Sequence, residues 1–146
     1  MLDKDQNANI GSLIKILSDA ISKKAKNDFK AYNLTMQQVK ILAYLKQREG
    51  EQPVSQKDIQ DYLRIAHPTV VSILKGMESK GFIRTFTSPE DKRMKIVGLT
   101  GQEMAVFEKV IAGRQRMEEQ LLKGMTEDER TQLRDNLKKM YKNIKE

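Results

Sequence analysis

Apolar side chains recur at intervals of three and four along most of this chain, and the places where that rhythm breaks mark out its elements. From Ile10 to Tyr32 the residues Ile10, Leu13, Ile14, Leu17, Ala20 and Ile21 share one side, ending near Phe29 with lysines opposite, which predicts a long amphipathic helix. Asn33 and Leu34 break the pattern, and Thr35 followed by Gln38 spells a capping box for a second helix with Val39, Ile41, Leu42 and Leu45 inside. A turn at Gly50 to Pro53 and a short extended piece come next. Val54 to Leu63 then reads as a shorter helix, capped by Ser55 with Asp58 three residues on, and with Ile59 and Leu63 on its inner side. Only Arg64, Ile65 and Ala66 separate it from a helix over Pro68 to Lys80, where Pro68 suits a first turn and Gly81 a left-handed stop. Over its roughly four turns, Val70, Ile73, Leu74 and Met77 face one way. Pro68, Ser72, Lys75 and Ser79, none of them acidic, face the other.

After Gly81 the period changes. Phe82 to Thr87 and Lys95 to Leu99 are rich in strand formers, and Ser88 to Met94 between them has turn chemistry, so a β-hairpin with a charged tip is expected. Two short helices joined by a tight turn have the spacing of a helix-turn-helix, whose second helix lies in a DNA major groove. A basic hairpin directly behind it makes the layout a winged helix. Thr100 with Glu103 spells another capping box, opening a helix with Met104, Phe107, Ile111 and Leu121 on one side and a stop at Gly124. Thr126 with Glu129 caps the last helix, whose stripe is Leu133, Leu137, Met140 and Ile144. The expected fold is mainly α with a small β-hairpin wing, in the order helix, helix, short strand, helix, helix, two-stranded hairpin, helix, helix.

The first helix and the last two carry apolar faces that the central module is too small to cover. Burial against the same helices of a second copy predicts a two-fold homodimer, with Ile10, Leu13, Ile14, Leu17, Leu121, Leu133, Leu137, Met140 and Ile144 at its interface. The plainer alternative is a monomeric bundle with its termini folded back on each other. One chain of 146 residues suits a single core with extensions: a DNA-binding lobe over 34–100 and dimerisation helices over 8–33 and 101–146.

Charge sharpens this picture. A net charge of +7 favours a polyanionic partner, although basic composition alone also describes proteins that bind nothing acidic. With no cysteine, disulfides and thiolate metal sites are excluded, and His67 as the single histidine leaves no metal site or cofactor expected. The start, Met1-Leu-Asp-Lys-Asp-Gln-Asn7, lacks the cationic and apolar regions of a secretion signal, and no run approaches a membrane span. A soluble cytoplasmic protein with no membrane partner is expected. Paired pocket carboxylates, a Gly-rich phosphate loop and a nucleophile with a placed base are all missing, so an enzyme is not expected.

Leu34-Thr-Met-Gln-Gln38, Ser55-Gln-Lys-Asp-Ile59, Pro68-Thr-Val70, Lys80-Gly-Phe-Ile83, Asp91-Lys-Arg93 and Val97-Gly-Leu-Thr100, in this order and spacing, resemble the MarR family of multiple-antibiotic-resistance regulators. The similarity is clear from Leu34 to about Val106, and Asp91-x-Arg93 with Leu99-Thr100 is its most specific piece. The resemblance implies a homodimeric winged helix-turn-helix that binds palindromic double-stranded operator DNA. It further implies a repressor released by a small, often aromatic or phenolic, effector. It places Arg93 in the minor groove with Asp91 steering its guanidinium, in keeping with the pull of a narrow A·T-rich groove on arginine.

The candidate DNA-contacting residues are Ser55, Gln56, Lys57, Arg64, His67, Pro68, Thr69, Val71, Ser72, Lys75, Arg84, Thr87, Asp91, Lys92, Arg93 and Lys95. Val71 beside Thr69 suits thymine methyl groups, while Lys75 and Arg64 suit phosphate or guanine. Departures from the family pattern fall in two places. Arg64 stands where glycine is frequent and Ala66 where serine caps the helix, so His67 is a candidate substitute cap, while Val71 and Ser72 stand where a polar or basic residue is common, so base readout is expected to lean less on arginine. His67 is equally a candidate base or phosphate contact. Plainer readings stand beside these, since Lys92, Arg93 and Lys95 also describe a solvated turn. An architectural DNA binder without an effector, or an interaction module that kept the fold, are the alternatives to a ligand-released repressor.

Overall fold

Helix starts are set locally, by side chains that return to their own backbone. In the computed structural model, which describes residues 9–145, Thr35 accepts from Gln38 N–H at 3.2 Å while Gln38 Oε1 accepts from Thr35 N–H at 3.2 Å. Ser55 with Asp58 and Thr126 with Glu129 make the same reciprocal pair, which satisfies donors that the first turn leaves over. The elements are α1 (Ile10–Ala31), α2 (Met36–Gln47), β1 (Val54–Ser55), α3 (Gln56–Leu63), α4 (His67–Ser79), β2 (Ile83–Thr87), β3 (Lys95–Leu99), α5 (Met104–Leu121) and α6 (Glu127–Ile144). This is the expected order, a winged helix-turn-helix among flanking helices. The residues read above for the lack of a secretion signal, and residue 8 at the start of the first arm, lie outside the described residues.

The strands form one antiparallel sheet in the order β1-β3-β2. Ile83 pairs with Leu99 and Thr87 with Lys95 across the wing, while Val54 pairs with Val97. Ser55 therefore ends a strand and caps a helix at once, and the helix begins two residues later than Val54.

The described residues divide into two compact units, one running to Ile111 and the other from Ala112 on. The first is built round the inner faces of its helices: Ile41 and Leu42 of α2, Ile59 of α3, and Val70, Leu74 and Met77 of α4, closed by Ile83 and Val97 of the sheet. α4 packs on α2 beside Gly76, where a Cβ would lie 3.4 Å from Gln38 Nε2, in ordinary contact. The lobe is wider than 34–100. Phe29 of α1 is buried in this core, with Ala25 and Tyr32 packed against it, and Val110 of α5 joins with Val106 and Phe107. The far end of the first arm and the near end of α5 thus belong to the reading module.

Two expectations at α5 are corrected. Thr100 and Glu103 do not form a capping box. The Thr100 hydroxyl donates to Gly81 C=O at 2.6 Å and accepts from Gln102 N–H, and Gly101, at φ 98°, turns the chain so that the helix begins only at Met104. Glu103, 1% exposed, instead accepts from Gly101 N–H at 2.7 Å and pairs with Lys46 at 3.1 Å. Burying that carboxylate against α2 sets the roll of α5. The inward face carries Glu103, Phe107 and Val110, one helical stripe, whereas Met104 and Ile111, expected inside, are 55% and 41% exposed.

In the second unit the turn into α6 is closed by Arg130, whose guanidinium donates to the carbonyls of Leu122 and Met125. Leu121, Leu133, Leu137 and Ile144 remain exposed, as do Ile10, Ile14 and Leu17 of α1; Leu13 and Met140 are half-buried. Among the described residues no helix is long and apolar enough to cross a membrane.

Breaking the Glu103–Lys46 pair from its buried side removes the acceptor of both Lys46 and Gly101. Glu103→Ala is expected to cost about 2–3 kcal/mol, below the upper range for buried pairs because Lys46 keeps some contact with water; urea unfolding measures it. Burial pulls the Lys46 pKa down, but its hydrogen bond and attraction to Glu103, with help from Glu49, outweigh that and leave it above the ordinary value. Its contribution is thus complete below the ordinary lysine value and fades as pH rises through the raised one, a loss that Glu103→Ala should abolish.

Candidate nucleic-acid interface

The turn between α3 and α4 is made by a strained residue. Arg64 caps α3 in the left-handed region, at φ 54° and ψ 45°, with its N–H donating to Gln60 C=O at 2.9 Å. A side chain with a Cβ pays about 1 kcal/mol there. Ile65 and Ala66 then lead into α4, which starts at His67, one residue before Pro68. Ala66 offers no side-chain cap, and its carbonyl accepts from Thr69 and Val70 N–H at 3.0 and 3.1 Å. His67 does not replace the missing cap: it is the first helical residue, and its Nδ1 lies 3.3 Å from Gln60 Oε1.

Burying Val70, Leu74 and Met77 fixes what α4 shows to solvent. Pro68, Thr69, Ser72, Lys75 and Ser79 are exposed along one strip and Val71 is half-buried at its margin. Ser79 turns its hydroxyl back to the carbonyls of Lys75 and Gly76. Glu78 is the sole carboxylate of the helix.

The wing tip presents a cation on a short tether. Asp91 Oδ1 accepts from the Arg93 backbone N–H at 3.0 Å and from Nε at 3.2 Å, and Oδ2 accepts from Nη2 at 3.4 Å. This two-oxygen grip holds a guanidinium whose side chain stays 91% exposed. The Ser88 hydroxyl accepts from Glu90 and Asp91 N–H, and Ser88 N–H donates to Met94 C=O at 2.9 Å, so the tip is ordered by its own backbone. Arg93, by hydrogen bond, holds the Asp91 carboxyl below the usual carboxylate range.

A family model described as the MarR family matches residues 34–95. The chain is 31% identical over 110 residues to the uncharacterized HTH-type transcriptional regulator YwoH of Bacillus subtilis, covering 75% of this chain and 77% of that protein. The chain belongs to the MarR family. To the HTH-type transcriptional regulator PecS of Dickeya dadantii it is 28% identical, over 98% of this chain and 86% of that one. MepR, a transcription regulator of the Staphylococcus aureus multidrug efflux pump MepA, superposes with a TM-score of 0.84 at 26% identity, over 94% of this chain and all of that one. A MepR–DNA complex superposes with a TM-score of 0.76 at 27% identity, over 95% and 100% of the two chains. This MarR-family chain is therefore a regulator of the winged helix-turn-helix kind, not an enzyme. Among the described residues no group of histidine, cysteine and acidic side chains could hold a metal ion.

The family fold collects most of the predicted site. Arg64, His67, Pro68, Thr69, Ser72 and Lys75 are exposed at the turn and along α4, and Arg84, Thr87, Lys92, Arg93 and Lys95 are exposed on the wing. Lys95 donates to the Thr87 hydroxyl at 3.2 Å across the hairpin, so these two act as a pair. Lys57 is exposed within 3.8 Å of Asp61, and Gln56 and Asp91 are half-buried. Ser55 departs from expectation. It is 4% exposed and its hydroxyl is committed to Asp58 N–H, which removes it from the contact surface. Two site-forming contacts escaped the sequence reading. Lys80 donates to Asn33 C=O and to Gln38 Oε1, the latter at 2.9 Å, and Glu78 accepts from Thr85 N–H. The only acid of α4, seven residues before a strand N–H, was the available signal for the second.

Because the folded-state pKa of Asp91 is depressed, its grip on Arg93 is present above the ordinary aspartate value and persists until pH falls through the depressed one. A carbon-detected NMR titration of the Asp91 carboxyl should show this, and in Arg93→Ala the midpoint should move up toward the ordinary value. Arg64→Gly relieves the left-handed strain and should stabilise the fold by about 0.5–1 kcal/mol in thermal unfolding.

Proposed function

We propose that this chain is a transcriptional repressor that binds palindromic double-stranded DNA as a homodimer in the cytoplasm and leaves it when a small aromatic or phenolic molecule binds. The observation that carries this is the pairing of two surfaces: the strip Pro68, Thr69, Ser72 and Lys75 of α4, free of carboxylates, and a wing tip whose guanidinium is oriented by Asp91 yet almost wholly exposed. A helix of this kind enters a major groove while an arginine on a wing suits the adjacent minor groove. The MepR–DNA complex, with which the chain shares its fold, supports the same partner.

Thr69 and Ser72, at the start of α4 and on its open face, are the proposed base readers, with Val71 at the margin for a thymine methyl group. Lys75, Arg64, Lys57, Lys92 and the Lys95–Thr87 pair, all exposed, are the proposed phosphate contacts. Homodimerisation is supported by the exposed apolar side chains of α1 and α6, among them Leu17 and Leu137. Two-fold symmetry would then set two α4 helices on half-sites about 10 bp apart. Release by an effector is supported by family kinship, and a screen of phenols in an operator-binding assay tests it. Release by none of them would favour a constitutive binder.

Selection of duplexes from a random pool, followed by footprinting, tests the main reading, which predicts a palindrome and a dimer in sedimentation. Arg93→Ala should weaken binding to every duplex and lower the salt slope by about one unit. Thr69→Ala or Ser72→Ala should instead change sequence preference, by about 1–3 kcal/mol at the contacted position. Fluorescence anisotropy over a range of salt separates the two classes, and normal binding by Arg93→Ala would refute the role of the wing.

A further inference from the structure

Glu78 is a cost that needs a reason. It is the sole acid of α4, exposed, in a chain of net charge +7 whose proposed partner is a polyanion. Among the described residues it forms no ion pair. Its one partner is an N–H seven residues on: Oε1 accepts from the Thr85 backbone at 3.1 Å.

The place of Thr85 makes that bond informative. β2 is an edge of the sheet, and Thr85 stands opposite Val97 in the ladder with β3. Its N–H points away from β3, toward α4, where Glu78 takes it. Between the two residues the chain turns through Gly81, at φ 81°, and Thr100 ties that turn to the foot of α5. Lys80, two residues after Glu78, holds the same end of α4 to the corner between α1 and α2. The end of the recognition helix is thus fastened on both sides, to the helical body by Lys80 and to the wing by Glu78. Water could satisfy the Thr85 N–H just as well. A carboxylate there fixes an angle.

That angle matters because the wing is a lever. Beyond Thr85 the strand runs to Thr87 and the turn over Ser88 to Met94 then folds back. The arm to Asp91 is therefore shorter than six extended residues, roughly 12 Å, and a swing of about 10° at Thr85 carries the tip about 2 Å, enough to lose a hydrogen bond. We propose that Glu78 is a positioning residue for DNA reading: by holding Thr85 N–H it sets the wing against α4, so that Arg93 and the base-reading face fit one groove spacing. The role rests on the DNA-binding reading above. Losing Arg93 removes one contact from every duplex, whereas a misaimed wing that keeps its cation still grips any duplex and draws α4 off the base edges, so that cost falls on the selected one.

Two variants separate charge from geometry. Glu78→Gln keeps a carbonyl acceptor and loses the charge; Glu78→Ala loses both and stays compatible with a helix. The measurements are affinities for the pool-selected duplex and for a mixed-sequence duplex, hydrogen exchange at the Thr85 amide in the free protein, and thermal unfolding. In Glu78→Ala the Thr85 amide should exchange at least about tenfold faster, and the ratio of selected to mixed affinity should fall about tenfold. In Glu78→Gln that ratio should stay within about twofold of the original while both affinities rise, the repulsive charge being gone. If both variants simply bind both duplexes more tightly, with the ratio unchanged, Glu78 is only a misplaced charge and the proposal is overturned. The same holds if Glu78→Ala lowers the melting temperature without moving the ratio, or leaves Thr85 exchange unchanged. An unmutated chain that binds neither duplex would overturn the DNA reading and this role with it, whereas one that discriminates, beside a Glu78→Ala variant that discriminates equally, overturns this role alone.

Discussion

Val70, Leu74 and Met77 have to leave water together, and that requirement governs most of what α4 can do. Full burial of each is worth roughly 1.5–3 kcal/mol, a large share of the about 5–15 kcal/mol by which domains are stable. Their spacing allows one roll of the helix about its axis, which seats it against Ile41 and Leu42 of α2 in the common core. Once the inner face is fixed, Thr69, Ser72 and Lys75 have nowhere to point but outward. The candidate reading surface is the remainder of a packing problem, which is why an uncapped N-terminus and a strained Arg64 can be tolerated beside it.

What was legible in the sequence was what is decided within a few residues. The caps at Thr35, Ser55 and Thr126 are i to i+3 events, the inner stripe of α4 is a matter of period, and Asp91 meets Arg93 two residues away. Thr100-x-x-Glu103 is spelled like a cap and is not one, because Glu103 finds Lys46, far away in sequence, and Gly101 takes a conformation that carries the chain off the helical path. The stripe of α5 was misjudged for the same reason. Counting apolar residues puts Met104 and Ile111 on one side with Phe107, and of these only Phe107 packs on the core, joined by Val110 and the buried acid. At the site, Ser55 was assigned to DNA since its position in a helix-turn-helix invites that, and its double duty as strand end and cap could not be seen without the pairing of Val54 with Val97. Lys80 reaches Asn33 and Gln38 across more than forty residues, beyond any local pattern.

Four acidic residues of the lobe share a use that net charge alone hides. Asp58 faces its own helix start, Glu103 is buried on Lys46, Asp91 is held by Arg93, and Glu78 sits on a backbone N–H of the wing. Each of these four carboxylates accepts from a donor of the fold, whereas Glu51 and Glu90 extend into solvent. The cations of the candidate site are disposed differently: Arg64, Lys75 and Lys92 extend from the turn, the helix and the wing into solvent. A chain with an excess of seven positive charges would attract a polyanion from any side. Around α4 and the wing this chain sets exposed bases beside acids that hold the backbone and Arg93, so the hydrogen bonds of Glu78 and Asp91 keep that surface in shape.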